Sequence, residues 1–337
     1  MIKQLKTSNE REAIRSSVEE IIRDLTSVDG LKNRIFLKGN MYVSPYNPSI
    51  GTNPILLDEL ARQLEVEGAE VLVGDIQSIY SLGLDQYSTE LTYGRFVDLN
   101  RETELTTIVL DDELMVQFPR LLLDEGIGVV YVPVLKTHAE TGLSACMKNF
   151  MGILPKTKDR ENIHNTDLLK YIGLLYQRIE HKVSYHVVDA IVSHEGQGPI
   201  HGKPVQTNHL FHGEVGQEID KYLASLIVPH VDVGYLGSFS VVDIDKRPFV
   251  LSAAKTLDLQ YYSGTATSGH LGVLYAMFER VQELFEERIF FVFPDGEPRK
   301  GRINIGVNFS DKRGIDYHLH GNPPSRRQIR SVFGIKK

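Results

Sequence analysis

The sequence contains one cysteine, Cys146, in 337 residues. A single thiol makes no internal disulfide and cannot supply the several thiolates of an iron–sulfur cluster, so no cluster of its own is expected. Long apolar runs are missing too. The opening "MIKQLKTSNEREAIRSS" has no signal-peptide pattern, and no later segment approaches the length of a membrane span, which sets the expectation of a cytoplasmic protein with no membrane partner. Positive charge is also in short supply. Lys and Arg number 37 against 44 Asp and Glu, the formal net charge is -7 and the pI is near 6.0, which argues against a nucleic-acid partner. The basic end "RRQIRSVFGIKK" reads as a solvated terminus. No internal repeat or low-complexity linker interrupts the chain.

With 42% hydrophobic residues, the chain can bury a large core, in two domains or in one with a large addition. Ile14, Val18, Ile21, Ile22 and Leu25 recur at helical spacing. "RIFLKGN" then reads as a strand, Asn53-Pro54 as a helix cap and first turn, and Leu56, Leu57, Leu60 and Leu64 as its apolar stripe, closed by Gly68. "AEVLVGD", "TTIVLDD", "GVVYVPVLKTH" and "YHVVDAIVS" continue as strands, with short helices expected near "ELMVQFPRLLLDE" and at "VGQEIDKYLASLI". Val273, Leu274, Met277, Val281 and Leu284 mark a late helix, followed by a strand and Pro-Asp-Gly turn in "RIFFVFPDG". This alternation predicts an α/β fold: a mostly parallel sheet flanked by helices, with a smaller C-terminal α+β portion. The Gly-rich "GYLGS" places the boundary so that residues 1–235 form the α/β domain and residues 236–337 the smaller portion.

In such sheets, ligands sit beyond the carboxyl ends of the strands. Three predicted strands end in polar residues: Lys38 and Asn40, Gly74 and Asp75, and Lys136 and His138. Lys136 and His138, two apart in extended chain, share a face. After them, Thr141 is the expected cap of a helix from Gly142 to about Met151, which would turn Thr141, Ser144 and Lys148 toward the same crevice. Lys38 and Asp75 are also placed to pair with each other. Cys146 reads as a small packed residue.

Seven of the twelve histidines fall between 181 and 230: His181, His186, His194, His201, His209, His212 and His230. His209 and His212 have the i, i+3 spacing of two ligands on a helix, which leaves a metal site open beside the reading of scattered loop histidines. Within this stretch, "HEGQGPIHGK" brings Glu195 out at a strand end, as a general base or a metal ligand.

"IFLKGN", "EGAEVLVGD", "VPVLKTHAETGLSACMKNFMGILP", His164 and "VVDAIVSHEGQGPIHGKP" resemble, in order and spacing, the family catalogued as domain of unknown function 362, over roughly residues 30 to 225. Ferredoxin-type cysteine motifs carried by many members of that family are absent, and "HGEVGQEID" departs from its pattern. More distantly, His138, Lys148 and His164 are similar in spacing to the nickel-pincer lactate racemase family. That resemblance implies a cofactor held by Lys148, nickel or another divalent transition metal ligated by His164, and a proton moved by His138. The glycine-rich surround of that family's lysine is "LSACMKNF" here, and its second acid/base histidine is Asn40, which exchanges no proton at neutral pH.

These residues point to an enzyme of acid/base chemistry, such as isomerisation, epimerisation or a related carbon-skeleton step, on a small carboxylate or phosphate. His138, Lys148, Glu195 and Lys136 are the candidate catalytic groups. Lys38, Asn40, Asp75, Thr141 and Ser144 are candidates for binding substrate, and His164 for a metal. A homo-oligomer is compatible with the sequence, an organic redox group remains open, and the other reading is a non-catalytic ligand- or metal-binding module.

Overall fold

The computed structural model describes residues 2–28, 31–41, 46–76, 87, 91–231, 233–255, 261–264, 274–275, 277–278, 280–293, 296–308, 314–320 and 326–335. A nine-stranded sheet forms its centre. Its strands are β1 (Lys3–Lys6), β2 (Arg34–Lys38), β3 (Glu70–Asp75), β4 (Arg95–Asp98), β7 (Ile127–Tyr131), β8 (Val134–His138), β9 (Gly142–Ser144), β10 (Val183–Glu195) and β11 (Lys203–Gly213). The order is β1-β11-β10-β7-β2-β3-β4, with β8 paired to β10 and β9 to β8. Strands β10, β7, β2, β3 and β4 run parallel, as do β8 and β10, whereas β1, β11 and β9 join in antiparallel fashion. The parallel part places the carboxyl ends of β2, β3, β8 and β10 along one edge.

The strand residues alternate between two apolar layers. On one face, Ile35, Leu37, Val71, Val73 and Val130 meet helix α1 (Arg11–Thr26) through Ile14, Val18, Ile21, Ile22 and Leu25, and helix α2 (Pro54–Val66) through Leu56, Leu57, Leu60 and Leu64. Each fully buried Leu or Ile contributes about 2 kcal/mol of transfer free energy, so these two stripes are enough to hold the helices on the sheet. Asn53 caps α2 by accepting from the Ile55 N–H at 2.9 Å, with Pro54 at its first position. On the opposite face, Phe36, Leu72, Val129, Tyr131 and Phe211 pack with α3 (Thr157–Asn165) through Ile163, α4 (Leu168–Ile179) through Tyr171 and Leu175, and α5 (Gly216–Ala224) through Ile219 and Leu223.

Some expected elements take another form. "TTIVLDD" is a strand, β5 (Leu105–Val109), but it pairs antiparallel with β6 (Met115–Pro119) in a separate hairpin. The helix expected near "ELMVQFPRLLLDE" is therefore β6 followed by a single 3₁₀ turn at Arg120–Leu123. Val116 and Phe118 are buried while Met115 is exposed and Gln117 half-buried, a period-two pattern that ends at buried Pro119. His209 and His212 lie on β11 and not on a helix, so their spacing puts them on opposite faces.

Short β12 (Ile227–Val228) and β13 (Leu251–Ser252) pair parallel to each other. The C-terminal portion is β-rich: β14 (Tyr262–Ser263), β15 (Ile289–Val292), β16 (Ile303–Val307) and β17 (Tyr317–Leu319) form a separate four-stranded parallel sheet. The late helix is present, with Leu274, Met277 and Val281 buried and Leu284 exposed; Val273 and the Pro294-Asp295 turn lie outside the described residues. The basic end is no solvated tail. Arg326–Phe333 forms α6, whose Ile329 is buried in the C-terminal core while Val332 and Phe333 pack against it.

Candidate functional site

The helix expected from Gly142 to about Met151 is a tight hairpin in the structure. Strand β9 folds back on β8 with Lys136 opposite Ser144 and His138 opposite Gly142. Gly142 has φ +72°, a left-handed conformation that ends helix propagation and suits a tight turn. The turn has its own cap: His138 Nδ1 accepts the backbone N–H groups of Glu140 (3.0 Å) and Thr141 (3.1 Å). Thr141 caps no helix. Its hydroxyl is buried and donates to the Leu143 carbonyl at 2.7 Å. Helical structure begins only at Met147–Ile153, as a 3₁₀ segment, so Lys148 reaches the site from there and Ser144 from the strand face that carries Lys136.

A fully hydrogen-bonded centre underlies the site. Lys38 Nζ donates to Asn149 Oδ1 (2.5 Å) and the Gly39 carbonyl (2.8 Å), and pairs with Asp75 Oδ1 at 3.0 Å. Asp75 also accepts the N–H groups of Met41 (2.7 Å) and Ile76 (2.8 Å). Burial pushes the Lys38 pKa down and the Asp75 pKa up, while each charge supports the other. Three acceptors on the ammonium and three donors on the carboxylate favour the ionised pair. Asn40 joins this centre to β8: its Nδ2 donates to Asn149 Oδ1 at 2.8 Å and its Oδ1 accepts from the Val134 N–H at 2.9 Å. Gly152 lies against the pair, where an added Cβ would stand 2.3 Å from Lys38 Nζ. Lys38, Asn40 and Asp75, expected to bind substrate, thus bind one another and fix the loops after β2 and β3.

Lys136, His138 and Lys148 stand above this centre. Lys136 is fully buried, donates to the Ile50 carbonyl at 3.0 Å and reaches Asn40 Oδ1 at 3.4 Å. Its burial, with the charges of Lys148 and Lys38, brings its pKa down to about 7 against the opposing pull of Asp75 and Asp189. Lys148 is half-buried and makes no hydrogen bond or ion pair with the described residues. Burial lowers its pKa to about 8, and Glu140 acts in the opposite sense. His138 is 6% exposed. Burial and the charges of Lys148, His164 and Lys136 hold it well below the usual histidine range. Because Nδ1 accepts two N–H groups, the ring is neutral with its proton on Nε2, a donor pointing away from the hairpin turn.

Glu140 and His164 form the rim, with His164 Nδ1 3.9 Å from Glu140 Oε2. Among the described residues, no three His, Cys, Asp or Glu side chains gather where they could hold a metal ion. The residues flanking Lys148, namely Cys146, Met147, Asn149 and Phe150, are buried and closely packed, so they offer no glycine cradle for a planar cofactor. His164 as a ligand and Lys148 as a cofactor anchor therefore find no supporting set. Glu195 is engaged elsewhere, accepting from the Ser252 N–H at 2.7 Å and pairing with Lys203 at 3.0 Å. Burial would raise its pKa, but the Ser252 and Lys203 bonds keep it below the usual range.

Several contributors were not assigned roles from sequence. Asn149 is the hub between Lys38 and Asn40. Asp189, buried under α2, accepts the Asn53 N–H at 2.8 Å, and burial lifts it to about 6. Asp220 on α5 accepts the N–H groups of Cys146 (2.8 Å) and Met147 (2.9 Å), pinning the start of the segment that carries Lys148. Only Asn149 had a sequence signal, its place in the Lys-Asn-Phe-Met-Gly motif.

The hairpin, the 3₁₀ segment and the strand ends all fall within residues 35–225, which match the family model described as Domain of unknown function (DUF362). That span is more than half of the chain. The chain belongs to the DUF362 family. No curated protein matches it. Its site is thus built inside the family's shared region, while the C-terminal sheet lies beyond it.

Proposed function

We propose that this DUF362 chain is an enzyme that moves a proton on a small anionic molecule, a carboxylate or phosphate, in isomerisation, epimerisation or a related carbon-skeleton step. The observation that carries this reading is one cluster: two lysine amines whose pKa values fall near 7 and 8, beside an imidazole held as an N–H donor. An amine that is partly neutral near pH 7 is a competent base, and its protonated form a competent acid. In this reading Lys148 abstracts a proton next to the anionic group, the His138 Nε2–H donates to the oxygen where charge develops, and the charge of buried Lys136 behind them favours the anion. The proton-transfer role expected of His138 thus passes to the lysines, because a ring whose Nδ1 is occupied has no free lone pair. A cytoplasmic small-molecule enzyme fits this chemistry, and no described helix is long and apolar enough to cross a membrane.

A non-catalytic binding module is the second reading, favoured by the rigid, internally satisfied Lys38–Asp75–Asn149 centre. Deuterium exchange separates the two. Pyruvate and dihydroxyacetone phosphate are incubated with the protein in D₂O, and loss of the proton signals next to the carbonyl is followed by NMR. Exchange well above the buffer rate, reduced roughly 100-fold or more by Lys148→Met, supports the enzyme. Tight binding of either compound without exchange supports the module.

A further inference from the structure

We infer that Lys148 is a nucleophile that forms an imine with the aldehyde or ketone carbon of an anionic carbonyl compound. This rests on the acid/base reading of the same site and goes further, by naming the substrate class and a covalent intermediate.

The geometry separates Lys148 from the other two amines. Lys38 has all three ammonium protons engaged, by Asp75, Asn149 and Gly39. Lys136 is fully buried and tied to Ile50 and Asn40. Lys148 is half-buried and has no partner among the described residues, although the residues on both sides of it are fixed. The Met147 N–H is held by Asp220, and the Asn149 side chain by Lys38 and Asn40. A rigid backbone therefore presents a side chain that no acceptor among the described residues claims, which is what a nucleophilic amine requires.

Its surroundings supply the remaining parts. The His138 ring is nine-tenths buried, and its Nε2–H finds no acceptor among the described residues. Lys148 is the foremost charge acting on that ring. Glu140 acts on Lys148 as well and stands 3.9 Å from His164, so an acid–base pair borders the amine. Near pH 7.5, an amine with a pKa of about 8 is roughly one-quarter neutral, whereas one at the ordinary 10.5 is neutral in only about one molecule in a thousand.

The step balances without an oxidant or reductant. The neutral Lys148 nitrogen attacks the carbonyl carbon, and the π pair moves to oxygen, which accepts a hydrogen bond from His138 Nε2–H. Glu140 takes a proton from the new ammonium, and the Glu140–His164 pair returns it to the oxygen to give the carbinolamine. The Glu140–His164 pair, reloaded with a proton from solvent, gives it to that oxygen, which leaves as water as the nitrogen lone pair forms the C=N bond of the protonated imine. The carboxylate or phosphate is favoured by the positive charge of Lys136 held in the wall behind the site. The imine draws electrons from the adjacent carbon, so that its proton passes to Glu140, while Lys148, the base of the simpler reading, serves here as the electron sink.

The test uses the full chain at about pH 7.5 with sodium cyanoborohydride and either pyruvate or dihydroxyacetone phosphate, read by intact mass and peptide mapping. The expected result is one reduced adduct per chain on Lys148, at least about tenfold above any exposed lysine such as Lys203 or Lys246, and absent in K148R whose melting temperature shows it folded. No adduct on Lys148 with either compound, or equal labelling of K148R, overturns the imine. Calorimetry with propanoate and glycerol 3-phosphate, which have no carbonyl to attack, tells which claim has failed. Binding of either without any Lys148 adduct overturns the imine and leaves the anion site standing, whereas no binding by any of the four compounds overturns both.

Discussion

His138 shows how one side chain can decide the chemistry of its neighbours. By accepting the Glu140 and Thr141 N–H groups, it stabilises the β8–β9 turn and gives up its role as a base. His138→Ala leaves two backbone donors without their acceptor, and an expected loss of about 1–3 kcal/mol in urea denaturation checks this; no change in the denaturation midpoint would contradict it. Lys136 acts through burial. Its pKa is about 7 in the folded protein against 10.5 for the free group. Between these values the unfolded chain binds the extra proton, so this lysine makes stability rise with pH from about 7 to about 10.5. Lys136→Met is expected to flatten that rise in unfolding free energies measured across the window. At this scale the sequence was informative about residue type and less so about role. Lys136 and His138 were legible as strand-end residues on one face, and Lys38 as a partner of Asp75. That Lys38, Asn40 and Asp75 bind each other depends on Asn149, 109 residues from Asn40, a contact that no local pattern encodes.

Elements bring these residues together, and two of them do so by close approach. The loop after β10 lies on β8 so tightly that a Cβ on Gly198 would fall 1.8 Å from the Thr137 carbonyl oxygen. The Ala139 N–H donates to the Gly198 carbonyl at 3.1 Å, and the Thr137 hydroxyl to that of Gly196 at 2.9 Å. Gly198→Ala is expected to push this loop off β8 and lower stability by about 1–3 kcal/mol or more, measured by thermal unfolding, because a backbone atom cannot swing aside. Asp220 is the second device. It accepts the N–H groups of Cys146 and Met147, at the entry to the 3₁₀ segment, and burial raises its pKa to about 7. Asp220→Ala should cost about 2 kcal/mol and expose the buried Cys146, which a thiol reagent would then label faster than in the wild type; unchanged labelling would contradict the pinning role. Helix α1, the cap of α2 and strands β2, β3 and β10 were legible from periodicity and cap residues. The β8–β9 hairpin was not, because "TGLSACMKNF" carries apolar residues at helical spacing, and the histidine cap two and three residues back, though local, lies outside that pattern.

For the whole molecule, the βαβ rhythm made the mostly parallel sheet legible, since hydrophobic strands buried on both faces are a strong signal. Strand order was not readable. The β5–β6 hairpin leaves the sheet, and β8 adds to β10 beyond the main path, so that Lys136, His138 and Lys148 come to stand over the Lys38–Asp75 pair. This topology lowers the pKa values of two lysines together: burial deprives both amines of water, and at Lys136 the like charges of Lys148 and Lys38 add to the effect. The account therefore turns on those two amines. The most direct measurement is a ¹³C NMR titration of lysine side chains, assigned with Lys136→Met and Lys148→Met. Two resonances titrating near 7 and 8, and moving upward when glycerol 3-phosphate is added, are the predicted result. Lysines that all titrate near the ordinary 10.5 would contradict it.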